Sequence, residues 1–265
     1  MKSNFKNGSW QKVAPWYNKL TEGGRGHYYH EHVVIPGVIR LLGLSQTSPT
    51  PQNPPRLLDL ACGNGVLAKA VPKSVKYMGV DIAPALISEA KRTDHNPNHS
   101  YFVADITKSL TSLNSLTFTH AAIVLALQNT VSPLNALKNA AEHLTEKGTL
   151  VIVLNHPAFR IPRQSAWGEE VARKIQYRRV DKYMSPMEIP IRMNPSDPNS
   201  QTTISYHFPI STYSKMLKEA GFVIDLIEEW TSDKESEGRA ARMENRSRSE
   251  IPLFMAVKAS KTSIS

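Results

Sequence analysis

Five apolar segments alternate with helical segments between residues 56 and 154, and this alternation constrains the fold more than any other feature of the sequence. The strand candidates are apolar along most of their length, and they are RLLDL (56–60), VKYMGV (75–80), SYFVA (100–104), FTHAAIVLA (118–126) and GTLVIVL (148–154). Helices are predicted between them at 65–71, 84–92 and 133–144, the last with Ser132 as N-cap and Pro133 at its first position. Strands buried on both faces and joined by helices predict a parallel sheet covered by helices on both sides.

The segments on either side of this core extend the architecture. Before it, helices are predicted at 10–20 and 28–44, where Pro36 either kinks the second helix or marks its start. After it, STYSKMLKEAG (211–221) predicts a helix ended by Gly221, and FVIDLIEEW and IPLFMAVKA predict two further strands. We therefore expect a single domain over 1–265, divided into a helical cap, a core, an inserted lid and a C-terminal helix with a strand pair (1–55, 56–154, 155–210 and 211–265).

Composition limits the classes of protein that this chain can represent. Charged residues make up 21% and hydrophobic residues 40% of the chain, which is typical of a globular protein. No segment reaches the roughly 18 apolar residues of a membrane span, and the first residues do not resemble a signal peptide, so we expect a cytoplasmic protein. Cys62 is the single cysteine, which excludes a disulfide framework and a cysteine-based zinc site.

The net charge of +9 is concentrated in two segments of the chain. Residues 1–55 hold six Lys and Arg against two acids, and residues 160–182 hold seven against three. A basic excess of this size fits a surface for nucleic acid or for an anionic substrate, but it is also common in proteins that bind neither. The charge distribution leaves both interpretations open.

A glycine-rich turn follows the first predicted strand. Gly63 and Gly65 expose backbone N–H groups, which can approach a ligand closely. Together with Ala68 they fit a loose G-x-G-x-x-A pattern, so a nicotinamide or flavin dinucleotide is one alternative. A phosphate-binding loop is excluded because no Gly-Lys-Ser/Thr sequence follows.

Three acids stand at the ends of the first three strands. Asp59 precedes the turn, where it can hold the N–H groups of the turn or face a ligand ammonium, whereas a pyrophosphate gains nothing from an added anion. Asp81 closes the second strand, where a carboxylate accepts hydrogen bonds from ribose hydroxyls. Asp105 follows the third strand, from which a carboxylate can accept from the amine of adenine. A ligand with a cation, a ribose and an adenine suits all three, and S-adenosylmethionine has these parts.

The motifs LLDLACGNG (57–65), GVDIAP (79–84) and FVADI (102–106) resemble the first three motifs of class I S-adenosylmethionine-dependent methyltransferases. The resemblance is strong over 56–155 and extends in pattern to 211–258. It implies an enzyme of the α/β class with a doubly wound, seven-stranded, mostly parallel sheet. It also implies that the last strand inserts antiparallel beside the one before it.

The resemblance also implies which residues bind the cofactor. The turn would hold its amino-acid part, Asp81 its ribose and Asp105 its adenine amine, with Ile82 and Ile106 on either side of the adenine ring. The end of the fourth strand (126–128) would line the methionine side, and Tyr17 and His30 of the cap would reach the cofactor carboxylate. The predicted cofactor-binding set is Asp59, Ala61, Gly63, Asn64, Gly65, Asp81, Ile82, Asp105, Ile106, Leu127, Tyr17 and His30.

The methyl acceptor is constrained by motifs that this chain lacks. The sequence ALQNTVSP (126–133) has no Asn/Asp-Pro-Pro-aromatic tetrapeptide, which argues against methylation of base amines of that type. A lone Cys62, at a position that family members use for packing, excludes a cysteine-relay mechanism on an RNA pyrimidine carbon. The plan resembles ubiquinone/menaquinone-type and small-molecule methyltransferases, whose caps bear an aromatic pair like that of APWYNKL (14–20). We expect methyl transfer to oxygen or carbon of a small, partly apolar acceptor, with an anionic group on it left open.

The segment after the fifth strand supplies the predicted catalytic and substrate residues. His156 leaves this strand, and an imidazole suits the removal of a proton from an alcohol or phenol. His27 and His30 are the second candidates, and the alternative for His156 is a residue that caps the strand. The predicted substrate-binding set is His27, Phe159, Arg160, Arg163, Trp167 and Tyr177, whose rings would form apolar walls and whose arginines would grip an anion.

Two other functions remain as alternatives. Arg178 and Arg179 beside Tyr177 and Tyr183 form a basic and aromatic patch that suits single-stranded RNA, so an RNA- or protein-modifying methyltransferase is the second hypothesis. A non-catalytic binding module is the third, and the three acids count against it. No metal site is expected because histidines and acids do not occur together at ligand spacing. The sequence does not determine the oligomeric state.

Overall fold

The computed structural model describes residues 9–22, 28–44, 54–110, 113, 115–193 and 200–262 of the 265-residue chain. Its strands are β1 Arg56–Leu60, β2 Lys76–Asp81, β3 His99–Val103, β4 Phe118–Val124, β5 Leu144–Asn155, β6 Ser165–Glu170, β7 Ile175–Val180, β8 Met187–Arg192, β9 Thr202–His207, β10 Phe222–Trp230 and β11 Phe254–Lys261. Its α-helices are α1 Ser9–Glu22, α2 Ile35–Leu42, α3 Pro84–Thr93, α4 Pro133–His143, α5 Ile210–Glu219 and α6 Ala241–Glu250. A π-helix spans His30–Val34, and 3-10 helices span Leu67–Ala70, Leu127–Asn129 and Val171–Arg173.

Seven of these strands form the central sheet, in the order β10–β11–β5–β4–β1–β2–β3. The pairs β1–β2, β2–β3, β1–β4 and β4–β5 are parallel, whereas β11 lies antiparallel to both β5 and β10. The strand order reverses between β1 and β4, and ligands of open α/β sheets bind beyond the carboxyl ends of the strands at such a point. The predicted fold class and the antiparallel insertion of the last strand are confirmed.

The two faces of the sheet bury separate apolar clusters. Alternate residues of β1 divide between them: Leu58 lies on the face covered by α4 and α5, and Leu57 lies on the face covered by α2 and α3. The same alternation separates Ile123 from Ala122 in β4, because successive strand side chains point to opposite faces. A sheet covered on both sides explains why the strand segments are apolar throughout.

Two helical predictions need correction. The predicted helix at 65–71 is only the 3-10 turn Leu67–Ala70, because Gly65 has a positive φ of 80° and Pro72 ends the segment. The predicted helix at 28–44 consists of the π-helix and then α2, and Pro36 stands within the first turn of α2, where a missing N–H has no cost. Ser132 and Pro133 begin α4 as predicted, although the Ser132 side chain makes no capping hydrogen bond.

The segment between β5 and α5 folds as two hairpins outside the central sheet. Strands β6 and β7 pair antiparallel, and so do β8 and β9. Strand β9 packs against the 3-10 helix Leu127–Asn129 at the end of β4, and it also contacts α1. The β8–β9 hairpin therefore lies over the carboxyl edge of the sheet. Among the described residues, no helix is long and apolar enough to cross a membrane.

Candidate active site

A cavity of about 410 Å³ lies at the carboxyl ends of β1 to β5. Its floor is the ends of these strands, and its roof is formed by α1, the start of the π-helix and the β8–β9 hairpin. Its volume is within the usual range for small-molecule sites. The wall residues are Trp10, Trp16, Tyr17, His30, Ala61, Gly63, Asp81, Ile82, Leu86, Asp105, Ile106, Thr107, Val124, Leu125, Ala126, Gln128, Asn129, Thr130, Val131, Asn155, Pro162, Ile191, Met193, Thr203, Ile204, Ser205 and Tyr206.

Asp81 connects the glycine-rich turn to the end of β2. Its Oδ2 accepts a hydrogen bond from the Gly63 N–H at 3.0 Å, and its Oδ1 accepts from the Ala83 N–H at 2.9 Å. Burial raises the pKa of Asp81, while these backbone donors oppose the shift. Each carboxylate oxygen keeps a further lone pair. The side chain is therefore held in place and can still accept hydrogen bonds from ligand hydroxyls.

The turn presents backbone to the cavity because three of its residues have left-handed conformations. The φ angles of Ala61, Gly63 and Gly65 are 63°, 57° and 80°. At Gly63 a Cβ atom would lie 3.4 Å from the ring of Tyr17, so α1 packs closely over bare backbone. Ala61 holds this conformation despite its Cβ, which costs about 1–2 kcal/mol. Such a cradle allows the backbone of a ligand-binding turn to approach a ligand closely.

Asp105 supplies a second carboxylate beside the end of β3. Its Oδ1 accepts from the N–H of Thr107 at 3.0 Å and from the Thr107 hydroxyl at 2.7 Å. Its Oδ2 is buried without a hydrogen-bond partner, and the Lys108 ammonium is 3.7 Å away. An amine donor from a ligand would complete this oxygen. Ile82 and Ile106 line the cavity beside the two acids.

Four of the predicted cofactor residues do not line the cavity. Asp59 is buried beneath the turn, where its Oδ2 accepts from the Tyr77 hydroxyl at 2.6 Å and its Oδ1 has no partner. Burial raises the pKa of Asp59 to about 7, and the Tyr77 hydroxyl opposes this shift. Leu127 is fully buried in the apolar core. Asn64 and Gly65 complete the set behind the wall, with the Asn64 amide donating to Asn18 at 3.1 Å.

Gln128 lines the cavity just after β4, three strands along the sheet from β3, beside which Asp105 lies. Its side chain is only 7% exposed, and its amide nitrogen donates to the Leu125 carbonyl at 2.9 Å. Because a carbonyl can only accept, this bond fixes which end of the amide is nitrogen and turns Oε1 away from Leu125. Oε1 is buried and has no hydrogen-bond partner. The family resemblance placed this residue at the end of the fourth strand (126–128), along the methionine side of the cofactor.

His156 lies behind the cavity wall, with both ring nitrogens occupied. Nδ1 accepts from the N–H groups of Ala158 and Phe159 at 3.1 and 3.3 Å, and Nε2 donates to Glu229 Oε1 at 2.6 Å. The side chain is 1% exposed, and burial lowers its pKa while Glu229 opposes the shift. This geometry does not support the predicted role of His156 as general base. It matches the alternative of a residue that organises the chain after β5.

The other predicted substrate residues also lie away from the cavity wall. The Arg160 guanidinium lies 5.9 Å from the centre of the Phe254 ring, and Phe159 packs on His156. In the β6–β7 hairpin, Trp167 is 41% exposed beneath Arg178, and Tyr177 is exposed as well. Arg163 is exposed with a positive φ of 60°. His27 lies outside the described residues.

The β8–β9 hairpin supplies wall residues that sequence reasoning missed. Ile191 and Met193 from its first half and Thr203–Tyr206 from its second half face the ligand space. The alternation in MEIPIR and TTISYH is the signal that could have revealed two strands. Among the described residues, no group of three or more histidines, cysteines and acids is arranged to hold a metal ion.

The cavity fits the parts of S-adenosylmethionine at three neighbouring strand ends. Beside β3, Asp105 has a buried oxygen without a hydrogen-bond partner. At the end of β2, the Asp81 carboxylate is fixed by its hydrogen bond to the turn, and after β1, Gly63 presents backbone without a side chain. Ile82 and Ile106 add apolar surface where an adenine ring would lie. These features match an amine-bearing base, a ribose and an amino-acid tail in that order along the sheet edge.

Comparison with known proteins identifies the family. The model of a family described as a methyltransferase domain matches residues 29–227. No curated protein sequence matches the chain. Among solved structures, an S-adenosylmethionine-dependent methyltransferase from Mesorhizobium loti is 21% identical, with a TM-score of 0.63 over 85% of this chain and 96% of that one. Another from Clostridium acetobutylicum is 16% identical, with a TM-score of 0.59 over 96% and 99%.

A third structure, of the glycopeptide N-methyltransferase MtfA with S-adenosylmethionine, is 16% identical, with a TM-score of 0.50 over 81% of this chain and 89% of that one. At these identities the structural likeness establishes the fold, and the family match establishes the activity class. The predicted cofactor, S-adenosylmethionine, agrees with both. The chain is a member of the methyltransferase-domain family within the class I S-adenosylmethionine-dependent methyltransferases, and it is an enzyme.

Proposed function

We propose that this enzyme transfers the methyl group of S-adenosylmethionine to oxygen or an activated carbon of a small, partly apolar acceptor. The observation that carries the proposal is the β8–β9 hairpin, which covers the end of the cavity near β4 and β5 with Ile191, Met193 and Ile204. A cavity roofed in this way suits a small molecule, because a polymer needs an open groove along which to extend. The end of the cavity near β4 and β5 therefore holds the methyl acceptor, and we call it the acceptor end.

Within this proposal the residues of the chain hold the cofactor at the β1 to β3 side of the cavity. Asp81 accepts hydrogen bonds from the ribose, Asp105 accepts from the adenine amine, and the backbone at Gly63 supports the amino-acid part. The Tyr17 ring of α1 packs over the turn at Gly63 and lines the same cavity. When bound, S-adenosylmethionine supplies an electrophilic methyl group attached to a positively charged sulfur. Transfer of this methyl group leaves S-adenosylhomocysteine, whose sulfur is an uncharged thioether.

We assign proton removal from the acceptor to His30 in place of His156. His30 is the histidine among the described residues that line the cavity, and it begins the π-helix His30–Val34. π-helical turns occur often at functional sites. The imidazole takes the hydroxyl proton of the acceptor as the oxygen bonds to the methyl carbon. Most of the remaining rate increase comes from holding the two reactants in line.

The alternative of an RNA or protein acceptor relies on the β6–β7 hairpin. There, Arg178 stacks 5.3 Å from the centre of the Trp167 ring, but it also donates to the Phe159 carbonyl and the Ser165 hydroxyl. Arg173 pairs with Glu170, and Arg179 pairs with Asp181, so acids on the same hairpin balance part of its charge. None of these side chains lines the cavity, and the geometry favours the small acceptor.

The experiment that tests this proposal supplies methyl-labelled S-adenosylmethionine with three separate acceptor pools. These are small molecules extracted from cells and passed through a low-mass filter, total RNA, and heat-denatured cell protein. We expect label in the small-molecule pool and none above background in the other two. Label in RNA or protein, with none in the small-molecule pool, would contradict the proposal. The Asp81→Ala variant is the control for transfer that needs the bound cofactor.

A further inference from the structure

The strand order divides the cavity between cofactor and acceptor. In the sheet, the strand ends follow one another as β3, β2, β1, β4 and β5, at spacings of about 4.8 Å. Asp105, Asp81 and Gly63 occupy the first three places, and Gln128 and Asn155 follow at the last two. The three strand spacings from β3 to β4 amount to about 14 Å. The resemblance placed 126–128 along the methionine side of the cofactor. Because the proposed cofactor contacts lie at β3, β2 and β1, we assign the Gln128 side chain and Asn155 to the acceptor instead.

The acceptor end carries no charge of its own among the described residues. Apart from the His30 imidazole, to which we assign proton removal, its polar groups are amides and hydroxyls: Gln128, Asn129, Thr130, Asn155, Ser205 and Tyr206. No lysine or arginine is among the wall residues that the structure describes, and the wall carboxylates belong to Asp81 and Asp105 at the far end. An anionic acceptor would lose its hydration here and gain no cationic partner. The arginines at 160, 163 and 178 lie outside the wall.

At the acceptor end, the side-chain oxygen of Gln128 lacks a hydrogen-bond partner, which indicates that the acceptor carries a hydrogen-bond donor. Oε1 of Gln128 is buried and unpaired, while the amide nitrogen of the same residue is fixed on the Leu125 carbonyl. A buried carbonyl oxygen is satisfied only by an N–H or O–H donor. Strand β9 packs against the 3-10 helix that carries Gln128, and Ile204 of β9 lines the same cavity as Gln128. A donor group on an apolar molecule would meet both surfaces.

We propose that the methyl acceptor is an uncharged, largely apolar molecule that donates an O–H or N–H hydrogen bond to Oε1 of Gln128. This proposal rests on the proposed function and names the substrate class of the same site. It makes Gln128 a substrate-binding residue, and it replaces the anionic option for the acceptor with a neutral one.

The test uses the full chain loaded with S-adenosylhomocysteine and three probes of similar shape: phenol, anisole and benzoate. Ligand-observed NMR titration measures the dissociation constant of each. We expect phenol to bind at least about threefold more tightly than anisole, and benzoate to bind more weakly than either. Benzoate as the tightest probe, equal binding of phenol and anisole, or no phenol binding at millimolar concentration would each overturn the proposal.

The Gln128→Leu variant locates the effect. We expect its phenol affinity to fall to that of anisole, its anisole affinity to stay within twofold, and its S-adenosylhomocysteine affinity to stay within twofold. The matched control is Gln176→Leu in β7, outside the cavity, which should leave all three unchanged. A loss of at least tenfold in S-adenosylhomocysteine affinity in Gln128→Leu would show that Oε1 serves the cofactor, and would overturn the proposal.

Two further results are decisive. If Gln128→Leu does not fold, as judged by circular dichroism, the order of the three probes on the wild-type protein decides alone. If the wild-type protein does not bind S-adenosylhomocysteine at all, the proposed function itself fails. Because that result is measured before any probe is added, it is distinguishable from failure of the acceptor proposal alone.

Discussion

The carboxylate of Asp81 accepts the backbone N–H of Gly63 at 3.0 Å, which ties the end of β2 to the turn that follows β1. One side chain thus shapes the bare backbone of the turn and stands where ribose hydroxyls would bind. The second oxygen accepts from Ala83 at the start of α3, so the carboxylate cannot rotate freely. The geometry of the turn and the affinity for the cofactor should therefore depend on the same residue.

Replacement of Tyr17 tests whether α1 covers the cofactor. Tyr17→Ala removes the ring that packs over Gly63, and we expect the affinity for S-adenosylhomocysteine to fall at least about tenfold, or ~1.4 kcal/mol. Burial raises the pKa of Tyr17, so its hydroxyl stays neutral at physiological pH. Tyr17→Phe keeps the ring and should bind within twofold of wild type. Equal affinities for wild type and Tyr17→Ala, measured calorimetrically, would show that α1 does not close the site.

We expect replacement of His30 to reduce turnover strongly and replacement of His156 to change it little. Loss of a general base costs about 10²–10⁴-fold, so His30→Asn should reduce label transfer to the small-molecule pool at least about 100-fold. His156→Gln should change transfer less than about threefold. A large loss in His156→Gln, at unchanged S-adenosylhomocysteine affinity, would restore His156 as the base.

His156 should contribute to the pH dependence of stability. Its pKa in the fold is lowered by burial, so the folded state binds its proton less readily than the unfolded chain. Its contribution is fully present above the unfolded pKa of about 6.5 and is lost as pH falls from there through the folded pKa, by up to about 1.4 kcal/mol per pH unit. Denaturant unfolding of wild type and His156→Gln between pH 5 and 8 measures the difference.

The partner residue Glu229 provides a charge-specific control for that series. Glu229 opposes the downward shift of the His156 pKa, so Glu229→Gln should lower that pKa further and enlarge the loss of stability in acid. His156→Gln should flatten the curve instead. Parallel curves for wild type and His156→Gln would mean that the imidazole is not held neutral in the fold.

Asp59 should destabilise the fold as pH rises. Its pKa is raised from 3.8 to about 7 by burial, so its contribution is fully present below pH 3.8 and is lost as pH rises through about 7. Asp59→Asn keeps an acceptor for the Tyr77 hydroxyl and removes the ionisation. The gain in unfolding free energy over wild type should grow between pH 4 and 7 and level off above pH 7. A constant difference across this range would contradict the buried, protonatable carboxyl.

Much of the sheet and of the cofactor half of the site follows from local pattern. Apolar strands flanked by helices predict a parallel sheet, and the carboxyl ends of parallel strands meet at one edge. The pattern therefore predicts that Asp81 and Asp105 lie close to the same cavity, as they do. The acceptor half depends on long-range contacts. His156 is turned away by Glu229, a residue 73 positions later on β10, and no local pattern carries that information.

The same limit explains the misplaced lid residues. The segment after β5 has aromatic and basic residues throughout, so composition could not distinguish the β6–β7 hairpin, which carries Trp167 and Tyr177, from the β8–β9 hairpin over the cavity. The packing of β9 on the 3-10 helix after β4 decides which hairpin faces the ligand. The apolar residues between Gly65 and Pro72 suggested a helix over 65–71, whereas the structure has only the 3-10 turn Leu67–Ala70.

The most direct test of the central claim is calorimetric titration of the wild-type chain and of Asp81→Ala with S-adenosylhomocysteine and, separately, with NADH. We predict that the wild type binds S-adenosylhomocysteine, that Asp81→Ala loses at least about tenfold of that affinity, and that NADH binds neither protein. Binding of NADH with no binding of S-adenosylhomocysteine would contradict the assignment of the turn at Gly63 to a methyl donor.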